Sequence, residues 1–217
     1  MTNGKFLSLQ QRSPYNSSRM KEALPLSLRD RNRLRTRQEL LNAVLDLFAE
    51  GGVAACSVDA VAKRLGASKT TVYSYFPGGL DEMLRDIYRM ISQRVLTQGI
   101  ELREAQSRTE DRIYALAKSL LDVCAEPKIG FFYMLLSPAL NALLEPVVGE
   151  ASSQFRKMIT CDLITLGQSE SRAAYYSILI TGSLREAAIT VARDATQRDP
   201  LLEAIALMTR ALIAMDN

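Results

Sequence analysis

Apolar residues recur at helical spacing from about Leu34 onward, and breaks in that spacing separate one predicted helix from the next. Leu34, Leu41, Val44, Leu45 and Phe48 share one stripe, which Gly51-Gly52 ends in the manner of a left-handed C-terminal cap. Val58, Val61, Ala62 and Leu65 then fall at i, i+3, i+4 and i+7. Ser57 is placed as their N-cap, Asp59 suits the positive helix start, and Gly66 closes the segment. Ser68 caps a third segment over residues 69–76, so a short Gly-containing connection joins two short helices, which is the pattern of a helix-turn-helix.

Pro77-Gly78-Gly79 stop the third helix, and a much longer one is predicted over residues 80–105, with Leu84, Ile87, Ile91 and Val95 as its inner stripe. Ser107 or Thr109 caps a fifth helix to about Ala125, and Pro127, Pro138 and Pro146 each stand where a helical segment can begin. Helices over 147–166, 170–193 and 200–215 complete the pattern. No alternating run with hairpin punctuation appears, so the predicted class is all-α: an N-terminal three-helix unit carrying the helix-turn-helix, then a larger helical region. Residues 1–28 mix Ser, Asn, Pro and Arg without a period, as a flexible extension does.

Composition narrows the chemistry. The 217 residues are 47% hydrophobic and 24% charged, ordinary values for a globular chain. No apolar run reaches bilayer length and no secretory leader pattern opens the chain, which predicts a cytoplasmic location. Histidine is absent, removing the commonest general base and transition-metal ligand. Cys56, Cys124 and Cys161 lie far apart without metal-binding spacing and read as reduced core thiols. With no acidic metal cluster and no phosphate-cradling loop either, neither a metal, a cofactor nor a catalytic residue is predicted.

The net charge of +3 is unevenly spread: residues 1–37 carry nine basic and two acidic side chains. That segment is a solvated arm, a nucleic-acid contact or a membrane-surface patch, and the third helix bears on the choice. Val72 and Phe76 share its inner face, which leaves Lys69, Thr70, Thr71, Tyr73, Ser74 and Tyr75 displayed behind the Ser68 cap. A cation at the helix tip can pair with a phosphate, and hydroxyls can reach phosphate oxygens or base edges. Such a face alone is no more than a capped, solvated connector. Together with the tight turn and the basic residues Arg31, Arg33, Arg35 and Arg37, it has the parts of a DNA-recognition helix with a flanking phosphate contact.

The stretch "LFAEGGVAACSVDAVAKRLGASKTTVYSYF", residues 47–76, resembles the DNA-binding domain of TetR-type (TetR/AcrR) transcriptional regulators, and the likeness extends over about residues 35–84. Carried over by position, it implies that Ser57 meets a phosphate, that Lys69, Thr70 and Thr71 begin the recognition helix, that Tyr73 touches the DNA backbone and that Phe76 packs. Two positions depart from the family pattern. Cys56 stands where Thr is common, and Gly79 or Leu80 where a phosphate-binding Lys is common.

The resemblance further implies that residues 81–217 form an effector-binding and dimerisation domain behind a DNA-binding domain at 29–80. Between Leu201 and Met215 the only polar side chains are Glu203, Thr209 and Arg210, so that helix must be covered on nearly every side. Its Leu201, Ile205, Met208, Leu212 and Met215, with Ala174, Ser177, Thr181, Leu184 and Ala188 on the preceding helix, suit either a core pair in one subunit or the four-helix dimer seam that the resemblance implies. Tyr88, Tyr114, Phe131, Phe132, Met134, Phe155, Met158 and Tyr176 are candidates for an effector pocket; each taken alone is equally a core residue.

These expectations describe a homodimeric DNA-binding regulator, a repressor released from a palindromic operator by a small, largely apolar effector. An all-α lipid or small-molecule carrier without DNA binding is the alternative, and it leaves Lys69 to Tyr75 unexplained. A membrane-surface anchor would need a regular apolar face that the basic segment lacks.

Overall fold

The structure is a computed structural model that describes residues 27–145 and 147–214, all of them helix, turn or loop without a strand. Contacts divide the described residues into two units, one ending at Arg35 and the other beginning at Thr36. In the first, the Asp30 N–H donates to Ser27 Oγ at 3.1 Å and opens helix α1 (Leu28–Gly51) upstream of Leu34, where the apolar stripe was expected to begin. The cap and the acidic first turn set this start rather than burial, because residues 27–35 are all exposed, Leu34 included.

In the second unit, α1 buries Leu40, Leu41, Val44, Leu45 and Phe48. A single 3-10 turn, Val53–Ala55, precedes α2 (Val58–Leu65). Val61 and Ala62 are buried, whereas Leu65, the last member of the expected stripe, is exposed. Gly66 takes φ 62°, and the Ala67 N–H reaches back to the Ala62 carbonyl at 2.9 Å, a cap that only the left-handed region allows. Helix α3 (Lys69–Tyr75) follows, with Val72 and then Phe76 fully buried. A helix this short has too few internal hydrogen bonds to persist alone, so these two side chains hold it.

Helix α4 (Gly79–Glu104) buries Leu84, Ile87, Ile91 and Val95, the predicted inner stripe. It packs along α5 (Thr109–Cys124), where the Ser119 hydroxyl donates to the Val95 carbonyl at 2.7 Å. Neither Ser107 nor Thr109 caps α5; Arg108 occupies the cap position without a side-chain bond, and Glu110 and Asp111 supply negative charge to the first turn. Next come α6 (Pro127–Gly130), a wide π-type turn (Phe131–Leu136), a 3-10 turn (Ser137–Leu140) and α7 (Asn141–Leu144). Pro127 opens α6 as expected, Pro138 lies within the 3-10 turn, and Pro146 falls outside the described residues.

Helix α8 (Glu150–Thr165) begins after Gly149 rather than at Val147, and α9 (Glu170–Arg193) begins at the Ser169 cap. A 3-10 turn (Ala195–Gln197) leads to α10 (Arg198–Ala214). Helices α8, α9 and α10 pack around α5. Asp162, buried on α8, is held by Arg103 of α4 through contacts of 2.9 and 2.6 Å, a bidentate pairing that satisfies both carboxylate oxygens. Among the described residues no helix is long and apolar enough to cross a membrane. Burial raises the Cys56 and Cys124 thiols to about 11 and about 12, as expected of core cysteines; Cys161 is instead exposed on α8, because the apolar neighbours in its sequence belong to the other helix face.

Two substitutions test this packing. A Cβ on Gly130 would stand 2.0 Å from the Cys124 carbonyl oxygen, so Gly130→Ala must displace backbone where α5 meets α6. Val72→Ala removes methyl groups that are fully buried. Each should lower unfolding free energy by about 1–3 kcal/mol in urea titrations.

Candidate functional site

The turn and the two caps fix the direction of α3. Ser57 Oγ accepts from the Ala60 N–H at 3.1 Å, and Ser68 Oγ accepts from the Thr71 N–H at 3.0 Å. Ser68 Oγ also lies 2.8 Å from Thr71 Oγ1, and Ser74 donates to the Thr71 carbonyl at 2.7 Å. Three predicted reading hydroxyls are therefore engaged within the helix itself. Lys69, Thr70 and Tyr73 are left as the outward groups, all exposed, while Tyr75 is half-buried and packs against the core. The Tyr73 ring lies beside Gly79, whose added Cβ would meet Tyr73 Cε1 at 3.4 Å.

Lys69 is not a bare cation. Its Nζ stands 2.6 Å from Asp59 Oδ1 on α2, and that hydrogen bond raises the ammonium pKa. Both side chains are more than half exposed, so the pair costs little to open, and a phosphate can take the place of the carboxylate. The family's fourth-helix Lys cannot be supplied at either candidate position without strain or lost packing. Gly79 has φ 64°, and Leu80 is half-buried against the core.

Arg37 is engaged inside the domain. Its guanidinium bonds Asp86 of α4 and lies 4.5 Å over the ring centroid of Phe76, the residue that ends α3. Asp86 also accepts from Arg89 at 3.1 Å. The sequence marks Arg37 as one more basic residue of the arm, and no spacing rule links it to Asp86 or Phe76. Arg31, Arg33 and Arg35 belong to the first unit and are exposed on α1.

A cavity of about 450 Å³ lies among α4, α5, α8 and α9. Of the predicted pocket residues, Tyr88, Met134 and Phe155 line it. Tyr114, Phe131, Phe132, Met158 and Tyr176 do not: Phe132 is core, edge-on to Phe48 at 5.4 Å, and Tyr114 is exposed. Tyr133, between Phe132 and Met134, also lines it, stands 5.0 Å from Tyr88 and accepts from the Ser92 hydroxyl at 3.2 Å. Burial raises the pKa of the Tyr88 phenol.

The predicted seam residues are distributed otherwise. Ser177, Leu184, Ala188 and Ile205 are buried within the chain, and Leu201, Met208 and Leu212 pack half-buried against its core. Thr181 is half-buried and lines the cavity, Ala174 is exposed, and Met215 lies outside the described residues. The uncovered apolar surface is instead Tyr175, Ile178 and Leu179 on α9 with Leu207 on the adjoining α10, each more than half exposed. Both helices are apolar on two sides, and spacing alone does not say which side the subunit's own core takes.

Residues 40–86 match the family described as bacterial regulatory proteins, tetR family. Over 172 residues the chain is 26% identical to the HTH-type transcriptional regulator LmrA of Bacillus subtilis, covering 77% of this chain and 91% of that one. In fold it is similar to a transcriptional regulator from Rhodococcus (TM-score 0.68, 20% identity, 82% of this chain and 96% of that one) and to the fatty acid degradation regulator FadR from Bacillus halodurans (TM-score 0.66, 16% identity, 83% and 96%). A putative regulator from Pseudomonas aeruginosa superimposes with a TM-score of 0.73 at 13% identity, over 84% of this chain and 92% of that one. The capped helix-turn-helix and the match across it identify residues 40–86 as a DNA-binding segment of the tetR type, and the likeness along most of the chain is one of fold to transcriptional regulators.

Proposed function

We propose that the protein is a homodimeric repressor that places α3 of each subunit in the major groove of a palindromic operator and leaves it when a small, largely apolar effector fills the cavity. The observation that carries this reading is the course of α4. Tyr88 lines the cavity, and two residues earlier Asp86 holds Arg37, whose guanidinium covers the Phe76 ring at the end of α3. A ligand that shifts Tyr88 moves the same helix that braces the recognition helix. The two states then differ in the spacing of the α3 helices, and an operator accepts only spacings near one helical turn or a multiple of it.

Dimerisation is assigned to the apolar surface of Tyr175, Ile178, Leu179 and Leu207, because an isologous pairing of α9 and α10 would bury side chains that a lone subunit leaves in water. Lys69 exchanges Asp59 for a phosphate, Tyr73 and Ser57 contact the backbone, and Thr70 reaches a base edge. Arg31, Arg33 and Arg35 add sequence-independent attraction to the duplex. Selection of bound fragments from random duplex DNA tests the whole reading: a palindrome should emerge, and failure to enrich any sequence with folded protein would refute it.

Finer outcomes follow for single residues. Lys69→Ala and Tyr73→Phe should weaken operator binding with little change in thermal stability, since both side chains are outward. Asp59→Asn should act in the opposite direction. It releases Lys69 and removes a negative charge from the DNA side, so affinity for every duplex should rise and the dependence of log affinity on log salt should steepen by up to about 0.9, one phosphate's worth. Fluorescence anisotropy at several salt concentrations measures both effects. Leu179→Glu or Leu207→Glu would bury charge in the seam and should give monomers in sedimentation, with operator affinity lost alongside. Full-size dimers in both variants would move the interface elsewhere.

A further inference from the structure

The cavity carries more chemical information than its size. Its lining includes two cationic side chains, Arg156 on α8 and Arg185 on α9, and no aspartate or glutamate. Both are exposed at the open side of the cavity, and among the described residues no ion pair joins either guanidinium to a carboxylate, unlike Arg64 with Glu50, Arg94 with Glu126, Arg103 with Asp162 and Arg198 with Asp122. Ser152 stands one turn before Arg156, and Thr181 one turn before Arg185, so each helix presents a hydroxyl and a guanidinium on its cavity side. The neighbouring wall is apolar, built from Val95, Leu120, Phe155 and Ile189. At the Tyr88 hydroxyl, burial pushes the pKa up, opposed first by hydrogen bonds with Tyr133 and Ser92 and then by the Arg185 charge.

We propose that the effector is an amphipathic anion, with a carboxylate or phosphate head held between Arg156 and Arg185 and an apolar body lying along Val95, Leu120 and Phe155. This inference rests on the cavity being the effector site. The physical grounds are asymmetric. A neutral apolar molecule would use the wall and leave both guanidinium groups to water, whereas a cation would meet two like charges with no acid to offset them. An anionic head takes a forked, charge-assisted contact from each arginine, which is the pairing this side chain suits best. A volume of about 450 Å³ lies within the range, roughly 300–1,000 Å³, in which small-molecule sites are found.

The test is titration calorimetry on the full-length protein with four probes sharing one ten-carbon chain: decanoate, decyl phosphate, decanol and decyltrimethylammonium. Decanoate or decyl phosphate should bind at least about tenfold more tightly than decanol, and the ammonium probe should bind worst. Which of the two anions binds more tightly identifies the head group. Arg156→Gln with Arg185→Gln should bring the anions down to the affinity of decanol while leaving decanol itself unchanged. Leu120→Trp, or Ile189→Trp if the first variant does not fold, should block all the probes that bind. Decanol equal to the anions, or anion binding that survives loss of both arginines, would overturn the proposal and leave the cavity reading standing. Failure of every probe to bind would overturn both.

Discussion

Burial of Val72 and Phe76 beneath a two-turn helix is the constraint on which the rest of this structure depends. Neither the Ser68 cap nor the internal bonds of α3 suffice to keep seven residues helical in water. What keeps Lys69, Thr70 and Tyr73 pointing outward is that the opposite face of the same helix is fully occupied. Arg37 extends this constraint: it caps the Phe76 ring and at the same time binds α4, so the orientation of the recognition helix is set from the helix that follows it.

In the proposed function helix α4 is both a core element and a lever. Its inner stripe, Leu84, Ile87, Ile91 and Val95, is packed too closely to bend gradually, and packed interfaces of this kind favour discrete arrangements over continuous ones. Gly99 permits the close crossing with α8, since a Cβ there would meet Phe155 Cζ at 2.9 Å. Phe155 is also a cavity wall. In that reading a change in the cavity would act on α4 at two points, Tyr88 and the Gly99 crossing.

Much of the DNA-binding part was legible because its signals are local. Ser57, Gly66 and Ser68 each speak for their own backbone conformation, and Val72 with Phe76 fall at one helical period. The interactions that refine the site are not local and left no pattern: Asp59 reaches Lys69 across the turn, and Arg37 reaches Asp86 across the length of the domain. In the C-terminal region, spacing correctly delimited α9 and approximated α10, but the inward side was assigned to the seam. Ser177, Leu184 and Ala188 face their own core, and Tyr175, Ile178 and Leu179 face out, since a helix apolar on two sides gives the same period for both. Pocket residues were the least legible. An aromatic that fills the core, such as Phe132, and one that borders a void, such as Tyr88, satisfy the same pattern.

In the proposed function, occupancy of the cavity and occupancy of DNA are coupled through α4. Operator affinity of the dimer, measured by anisotropy on the selected palindrome with and without a ligand shown by calorimetry to fill the cavity, tests it most directly. Affinity should fall about 5- to 150-fold, and by linkage ligand affinity should fall by the same factor when operator is added. An unchanged operator affinity with the cavity demonstrably full would contradict it.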